Sequence, residues 1–120
     1  MFGYDTIVGY SKINQNKQVP LYEIMNYIRQ INLFYAYMQN KPLTASAQAL
    51  YFRLLHHLNL ASWRSPIAVS ELTLRGELQL NHRAFLKARD ELKNLNYITH
   101  IPQLGRKPAL YIIKDLEEEG

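Results

Sequence analysis

The sequence predicts a mainly α-helical domain that ends in a small β-hairpin. Apolar residues recur every three or four positions in several segments of the first three quarters of the chain, as they do on one face of a helix. Residues with a strong N-cap preference precede these segments. The last quarter holds two short runs rich in β-branched and aromatic residues around a turn that contains glycine. At 120 residues, the chain fits one domain.

The first predicted helix follows a stretch without sustained periodicity. That stretch, residues 1–19, is predicted to be an arm or a loose extension. From Leu21 to Gln39 the apolar residues repeat at alternating steps of three and four, which predicts a helix. Its main stripe is Leu21, Ile24, Ile28, Ile31, Tyr35 and Met38. The segment 40–42 contains a proline and ends this helix.

Thr44 is placed to cap a second helix, and Ser70 is placed to cap a short third one. The second helix is expected to bury one face, made of Ala47, Leu50, Tyr51, Leu54 and Leu58. Segment 59–65 ends it, and segment 66–69 has strand character.

Asn81 is placed to cap a fourth helix over residues 82–95, whose buried face is Phe85, Ala88, Leu92 and Leu95. Asn96 can adopt the left-handed conformation that often ends a helix. Residues 97–101 and 109–113 are predicted to be strands, joined by a turn with a basic tip.

The order of helix, short strand, helix, turn, helix and hairpin is that of a winged helix-turn-helix, here with an additional N-terminal helix. In such a fold the later helix projects from the surface and fits the major groove of DNA, while the hairpin reaches the flanking backbone. The predicted organisation is an arm at 1–19, a DNA-binding domain with an N-terminal interaction helix at 20–114, and an acidic tail at 115–120.

Four stretches carry a family resemblance that covers roughly two thirds of the sequence, from about Ile28 to Ile113. They are INLFYAYMQNKPLTASAQALYFRLLHHLN (31–59), VSELTLRGELQLNHRAFLKARDELKNLNYI (69–98), the Gly105-Arg106-Lys107 turn and ALYII (109–113). The segment resembles the N-terminal winged-helix domain of DnaD-like, phage replisome-organiser replication proteins. The resemblance implies a DNA-binding domain that helps to recruit helicase-loading machinery. It also implies a second, C-terminal helical domain, which we expect to be missing here because the chain stops just after the hairpin. One departure is Gln79, where the family usually has Gly.

The composition supports a basic globular protein. Hydrophobic residues make up 48% and charged residues 20%, which excludes the profile of a disordered chain. The net charge is +4, but residues 1–114 hold all 14 basic residues and only 6 of the 10 acidic ones. A basic body suits a polyanion such as double-stranded DNA, although many domains are basic without binding one. Without cysteines, a signal sequence or a long apolar run, the chain is expected to be cytoplasmic and not membrane-bound.

Arg83 and Lys87, one helical turn apart, are the main candidates for phosphate or base-edge contacts. The alternative is a solvated helix face, which Asp90 and Glu91 in the next turn favour, but position in the predicted fold favours DNA. Arg89 is predicted to be structural, at the core edge or paired with an acid. The full DNA-binding set is Asn81, His82, Arg83, Leu86, Lys87, Arg106 and Lys107.

No catalytic, cofactor-binding or metal site is predicted. His56 and His57 are adjacent and would point about 100° apart on a helix, and no metal-ligating residue lies at a suitable spacing nearby. One of the two is expected to be packed and the other solvated. A catalytic triad, a phosphate-binding glycine loop and a close carboxylate pair are also missing from the sequence, so we expect no enzymatic activity.

The first helix carries more apolar surface than one face can bury. Beyond its main stripe it has Tyr22, Met25, Tyr27, Leu33, Phe34 and Tyr37. We assign Tyr22, Tyr27, Phe34 and Tyr37 to a homodimer interface, because tyrosine-rich surfaces suit protein contacts and the related domains commonly self-associate. The alternative is that residues 1–19 fold back over this surface.

The sequence therefore predicts a non-enzymatic, DNA-binding module of a replication initiation protein. Two alternatives stay open. One is a protein-interaction or oligomerisation module with helicase-loading or other replication partners, and the other is a transcriptional regulator that uses the same DNA-binding surface.

Overall fold

A computed structural model of the chain describes residues 10–14 and 17–116, and the side-chain surroundings from residue 24 onward. The helices are α1 (Leu21–Met38), α2 (Ala45–Leu60), α3 (Glu71–Leu78) and α4 (His82–Asn94), and the strands are β1 (Tyr10–Asn14), β2 (Lys17–Pro20), β3 (Ile67–Ala68), β4 (Ile98–Ile101) and β5 (Leu110–Ile113). The predicted helix-rich fold with a C-terminal hairpin is confirmed. None of these helices combines the length and apolar character needed to cross a bilayer.

Side-chain caps set the start of three helices, as predicted. Thr44, Ser70 and Asn81 all have extended backbones, and the side-chain oxygen of each accepts a hydrogen bond from the backbone N–H three residues later. Each bond satisfies an N–H that has no partner inside its helix, which typically stabilises a helix by about 1 kcal/mol.

A residue with a left-handed backbone conformation ends α3, and another lies in the turn after α4. Asn96 has φ 68°, as its sequence position predicts. Gln79 has φ 58°, so a non-glycine residue occupies the position where the family resemblance implies Gly. That conformation costs about 1–2 kcal/mol for a residue with a Cβ. Two hydrogen bonds offset the cost: the Leu80 N–H donates to the Arg75 carbonyl (3.1 Å), and the Gln79 side chain donates to the Gly76 carbonyl (3.0 Å).

The C-terminal hairpin is part of a three-stranded antiparallel sheet in the order β3-β5-β4. Ile98 pairs with Ile113 along the hairpin, and Ile67 of the short strand β3 pairs with Tyr111 of β5. Pairing on both sides of β5 fixes the hairpin against the helices, and the loop between β4 and β5 extends from this anchored base.

The core lies around α2, which packs on α3, α4 and β5. Its largest fully buried side chains are Tyr51, Tyr97, Tyr111, Phe34, Phe85, Leu50, Leu54, Leu55, Leu74, Leu92 and Ile98. An aromatic cluster attaches α1 to this core: the ring of Phe34 stacks on that of Tyr51 at 4.2 Å between centroids.

The buried face of α1 is not the predicted stripe. Ile28 and Tyr35, two stripe members, are each 50% exposed, whereas Gln30 and Phe34 are 6% and 0% exposed. The prediction of Phe34 as an interface residue is therefore wrong, because its side chain is already covered within one chain.

A buried polar side chain lies beside Phe34 on the inner face of α1. The Gln30 side-chain amide donates to the Tyr51 hydroxyl (2.9 Å) and to the Lys114 carbonyl (3.3 Å). Burial raises the pKa of Tyr51 to about 12. Gln30 therefore belongs to the core, although periodicity places a glutamine on the solvent side.

The structure adds detail to both predicted terminal segments. The arm predicted at 1–19 contains an antiparallel pair, β1 with β2, although residues 1–9, 15 and 16 lie outside the described residues. The acidic tail predicted at 115–120 begins with core packing, because Leu116 is 3% exposed and belongs to the hydrophobic core. Residues 117–120 lie outside the described residues.

Candidate nucleic-acid interface

Arg83 and Lys87 lie on the outer face of α4. Phe85, Ala88 and Leu92 of this helix are buried, which turns the opposite face outward. Both cations are exposed, and neither forms an ion pair with any residue in the described part of the chain. The predicted exposure of this cationic pair is confirmed, and its charges are available to a ligand.

The first residues of α4 are exposed but have partners within the chain. The Asn81 side-chain oxygen accepts from the Ala84 N–H at 2.8 Å, so its amide NH2 is the group left for an external acceptor. His82 Nδ1 contacts the Glu71 carboxylate, which also lies 3.4 Å from an Arg75 nitrogen. Leu86 is half-buried and packs against the core, so only its outer edge could touch a ligand.

The two acids of α4 are engaged inside the chain. The Glu91 carboxylate accepts from the Thr44 backbone N–H (2.6 Å) and hydroxyl (2.8 Å), which adds a second cap to α2. Asp90 lies 3.0 Å from the Arg89 guanidinium, whose side chain is only 19% exposed. Arg89 thus pairs with an acid at the core edge, as predicted, and Glu91 supports the fold rather than a solvated face.

The hairpin loop presents two further cations. Gly105 has φ 70°, a left-handed conformation that glycine adopts without strain, and Arg106 and Lys107 directly after it are exposed. The Gln103 side chain donates to the Pro108 carbonyl at 2.8 Å and closes the base of the loop. Within the described residues, neither cation forms an ion pair.

A cleft of about 450 Å³ separates α4 from this loop, and we call it the basic cleft. Its lining includes cations from three elements, namely Arg75, Arg89, Arg106 and Lys107. His100 on β4 also lines it, and the pKa of this imidazole is lowered by burial, by Arg89 and by Lys93. Neither Arg75 nor His100 was a predicted site residue, because sequence spacing does not reveal that α3, α4 and the hairpin meet here.

Two of the predicted interface tyrosines of α1 contact other residues of the same chain. Tyr27 is partly buried and its ring meets that of Trp63 edge-on at 6.4 Å between centroids. The Tyr37 hydroxyl accepts from the Lys41 amine (2.8 Å) and donates to the Leu95 carbonyl (3.5 Å). The Tyr22 side chain lies outside the described residues.

A different set of α1 residues faces outward. Met25, Ile28 and Tyr35 are 59%, 50% and 50% exposed, and they follow one another at helical spacing. We call them the exposed stripe. Gln30 and Phe34 are buried on another face of α1, and a sequence-based helical wheel would have found the exposed stripe only if Gln30 were assigned to the core.

The adjacent histidines of α2 have different surroundings, as predicted. The His57 ring is partly buried and its Nε2 lies 2.9 Å from the Glu77 carboxylate, whereas His56 is exposed. Among the described residues, no three His, Asp or Glu side chains come together in a group that could hold a metal ion.

No protein-family model matches the chain, and neither a curated protein nor a solved structure is significantly similar to it.

Proposed function

We propose that this chain binds duplex DNA as a non-enzymatic winged helix-turn-helix domain. The observation that supports this most is the pair Arg83 and Lys87, exposed on the outer face of α4 and without an ion-pair partner among the described residues. A partner dense in negative charge would satisfy both cations without breaking a contact that the fold needs.

The dimensions of α4 agree with this role. A helix of 13 residues is about 20 Å long, and a helix of ordinary width fits the major groove, which is about 12 Å wide. The basic hairpin loop lies across the basic cleft from α4. With α4 in the groove, Arg106 and Lys107 would face the flanking phosphates.

The proposed biological role is replication initiation, in the manner of a DnaD-like or phage replisome-organiser protein. The family resemblance of segments 31–59 and 69–98 supports it, and helicase-loading proteins are then the expected partners. A transcriptional regulator would use the same surface of α4. Titration with random, origin-derived and promoter-derived duplexes distinguishes the two, since a specific site is bound more tightly than random DNA.

The direct experiment is a fluorescence-anisotropy titration of a labelled duplex at several salt concentrations. The double variant Arg83→Ala/Lys87→Ala is compared with the unchanged protein. We expect weaker binding, and a slope of log affinity against log salt that is smaller by about 0.9 for each lost phosphate contact. The exposed Arg64, in the loop between α2 and β3, provides a control as Arg64→Ala, which is charge-matched to each of the single variants Arg83→Ala and Lys87→Ala.

The single variants sharpen the assignment. A base contact costs about 1–3 kcal/mol on the cognate site alone, while a phosphate contact weakens binding to all sequences. Unchanged affinity and salt slope in the double variant would show that Arg83 and Lys87 do not contact DNA. If Arg64→Ala weakened binding as much as either single variant does, only net charge would matter.

The exposed stripe favours a second activity, self-association of two copies through α1. Met25 and Ile28 remain largely exposed although α1 is docked on the core. A two-fold axis would bring the same stripe of a second copy against it, which buries apolar area on both chains at once. This proposal replaces the predicted set of interface tyrosines.

Light scattering of the whole chain tests this second proposal. We expect a dimer, and we expect Ile28→Lys to convert it to a monomer. Leu104→Lys is the matched control, because Leu104 is a 92% exposed apolar residue on the hairpin loop, away from α1. A monomer at high concentration, or a dimer that Ile28→Lys leaves intact, contradicts the proposal.

A further inference from the structure

We propose that the basic cleft between α4 and the hairpin loop is a binding site for one phosphate group. The inference rests on the proposed function in so far as a DNA strand is taken as the source of that phosphate. A free mononucleotide carries the same chemistry, and the experiment below separates the two sources.

The charge of the cleft is the first support. Arg75, Arg89, Arg106 and Lys107 line it from three separate elements, and Glu71 is the one carboxylate among its described lining residues. Cations that converge from α3, α4 and a loop repel one another unless an anion lies between them.

The cations keep donors for such an anion. The Glu71 carboxylate is shared between Arg75 and His82, so it neutralises the cleft only in part. Arg89 uses Nε and one terminal nitrogen to bind Asp90, which is not among the residues that line the cleft. A guanidinium has five N–H groups, so Arg89 retains donors in the planar arrangement that suits phosphate.

Partial burial positions the two inner arginines. The side chains of Arg75 and Arg89 are 29% and 19% exposed, and their existing contacts hold them in place. Less side-chain entropy is lost when such a group binds an anion than when a fully solvated one does. Arg106 and Lys107 on the exposed loop would complete the site from the other side.

The imidazole of His100 reports on the electrostatic potential of the cleft. Burial, Arg89 and Lys93 lower its pKa, and Asp90 acts weakly in the opposite direction. The ring also contacts Tyr111 on β5, at 5.3 Å between centroids. The other charged groups that line the cleft with it are Glu71, Arg75, Arg106 and Lys107. A phosphate bound beside Arg89 would favour the protonated imidazole, so occupancy of the cleft should raise the pKa of His100.

The cleft can be tested separately from the outer face of α4. Arg83 and Arg89 are six residues apart, which places them about 120° apart around the helix. A single phosphate in the cleft therefore does not have to contact Arg83, and the two sites can be disabled one at a time.

The experiment follows the ring signals of His100 by NMR as a function of pH, in the whole chain, with three additives. These are inorganic phosphate, deoxyadenosine monophosphate and a short duplex. We expect the pKa of His100 to rise with duplex DNA, and we expect Arg89→Gln to abolish the rise and to lower the salt slope of DNA binding by about 0.9. His57 is an internal control, because it lines a different cavity and its ring signals should not respond to occupancy of the basic cleft.

A second variant guards against the case in which Arg89→Gln misfolds. Arg106→Gln lies on the exposed loop, away from the core, and we expect it to reduce the rise in the pKa of His100 as well. Arg89→Lys keeps the charge but loses the planar donor set, so an intermediate effect is expected.

Each outcome decides between the sources. A rise with duplex but not with mononucleotide identifies a DNA strand, and a comparable rise with mononucleotide or inorganic phosphate identifies a free phosphate compound. If duplex binds while His100 and Arg89→Gln show no effect, the cleft proposal is overturned and the proposed function stands. If the small anions raise the pKa but no duplex binds, the cleft proposal stands and the proposed function fails. If nothing raises it, the cleft is not a phosphate site.

Discussion

The α1 side of this protein and the outer face of α4 differ in whether their polar groups have partners within the chain. Under α1, Gln30 donates to Tyr51 and the Tyr97 hydroxyl donates to the Lys41 carbonyl at 2.6 Å, and among the buried side-chain nitrogens and oxygens of the described residues only the indole nitrogen of Trp63 lacks a partner. On α4, Arg83 and Lys87 are exposed and have no ion-pair partner in the described part of the chain. The comparison indicates that the first region stabilises the fold and the second is available for a ligand.

The largest effect should come from deprotonating the buried tyrosines, since burial raises the pKa of Tyr51, Tyr97 and Tyr111 to about 12. These groups ionise near pH 10 in the unfolded chain. A raised folded-state pKa means that their contribution to stability is complete below pH 10 and is lost as pH rises towards 12. We expect the free energy of unfolding in urea to fall steeply over that window. If Tyr51, Tyr97 and Tyr111 ionised near pH 10 without unfolding of the protein, the burial of these three hydroxyls would be refuted.

Phe34→Ala should be the most destabilising of the substitutions proposed for the α1 side. It empties a fully buried position stacked on Tyr51, and such changes cost about 3–5 kcal/mol. Phe34→Leu, which keeps most of the volume, should cost about 1–2 kcal/mol and guards against complete unfolding. The neighbouring Tyr35→Ala is the control. Because Tyr35 is half exposed, chemical denaturation should show a loss of about 1 kcal/mol, and equal losses at 34 and 35 would contradict the assigned face.

Gln30→Leu tests whether the buried amide stabilises the core. It removes the donor to the Tyr51 hydroxyl, and a buried polar group left without its partner costs about 1–3 kcal/mol. In a double-mutant cycle, Tyr51→Phe should recover part of that loss, because no hydroxyl then remains unsatisfied. Strictly additive effects in denaturation would show that the two side chains do not interact.

Substitutions on α4 should have the smallest effects on stability, and they distinguish the inner side of this helix from its outer side. Glu91→Ala removes the second cap of α2 and should cost about 1 kcal/mol while leaving DNA affinity unchanged. Arg83→Ala and Lys87→Ala should change stability by no more than about 0.5 kcal/mol and weaken DNA binding. The reverse pattern, a folding defect at Arg83 with normal DNA binding, would remove the distinction.

Features with a local cause were predictable from the sequence. Thr44, Ser70 and Asn81 cap their helices because each cap depends only on residues within one turn. The outward face of α4 followed from the spacing of Phe85 and Leu92, since this helix is apolar on one side only.

Features that depend on distant partners were not predictable. α1 is apolar around most of its circumference, so periodicity does not show which face is buried, and the buried Gln30 has its partners Tyr51 and Lys114 21 and 84 residues away. The basic cleft also depends on residues that are distant in sequence, because Arg75 and His100 meet only after α3 and the sheet have packed together. The β1–β2 pair was missed because its strands lack an apolar alternation.

The most direct test of the account is to map duplex DNA on the protein through changes in backbone amide NMR signals. We predict that the signals of α4 and of loop residues 102–108 shift as duplex is added, while those of α1 from residue 24 to residue 38 do not. Shifts concentrated on α1, or no shifts with saturating duplex at low salt, would contradict the assignment of the α4 face to DNA.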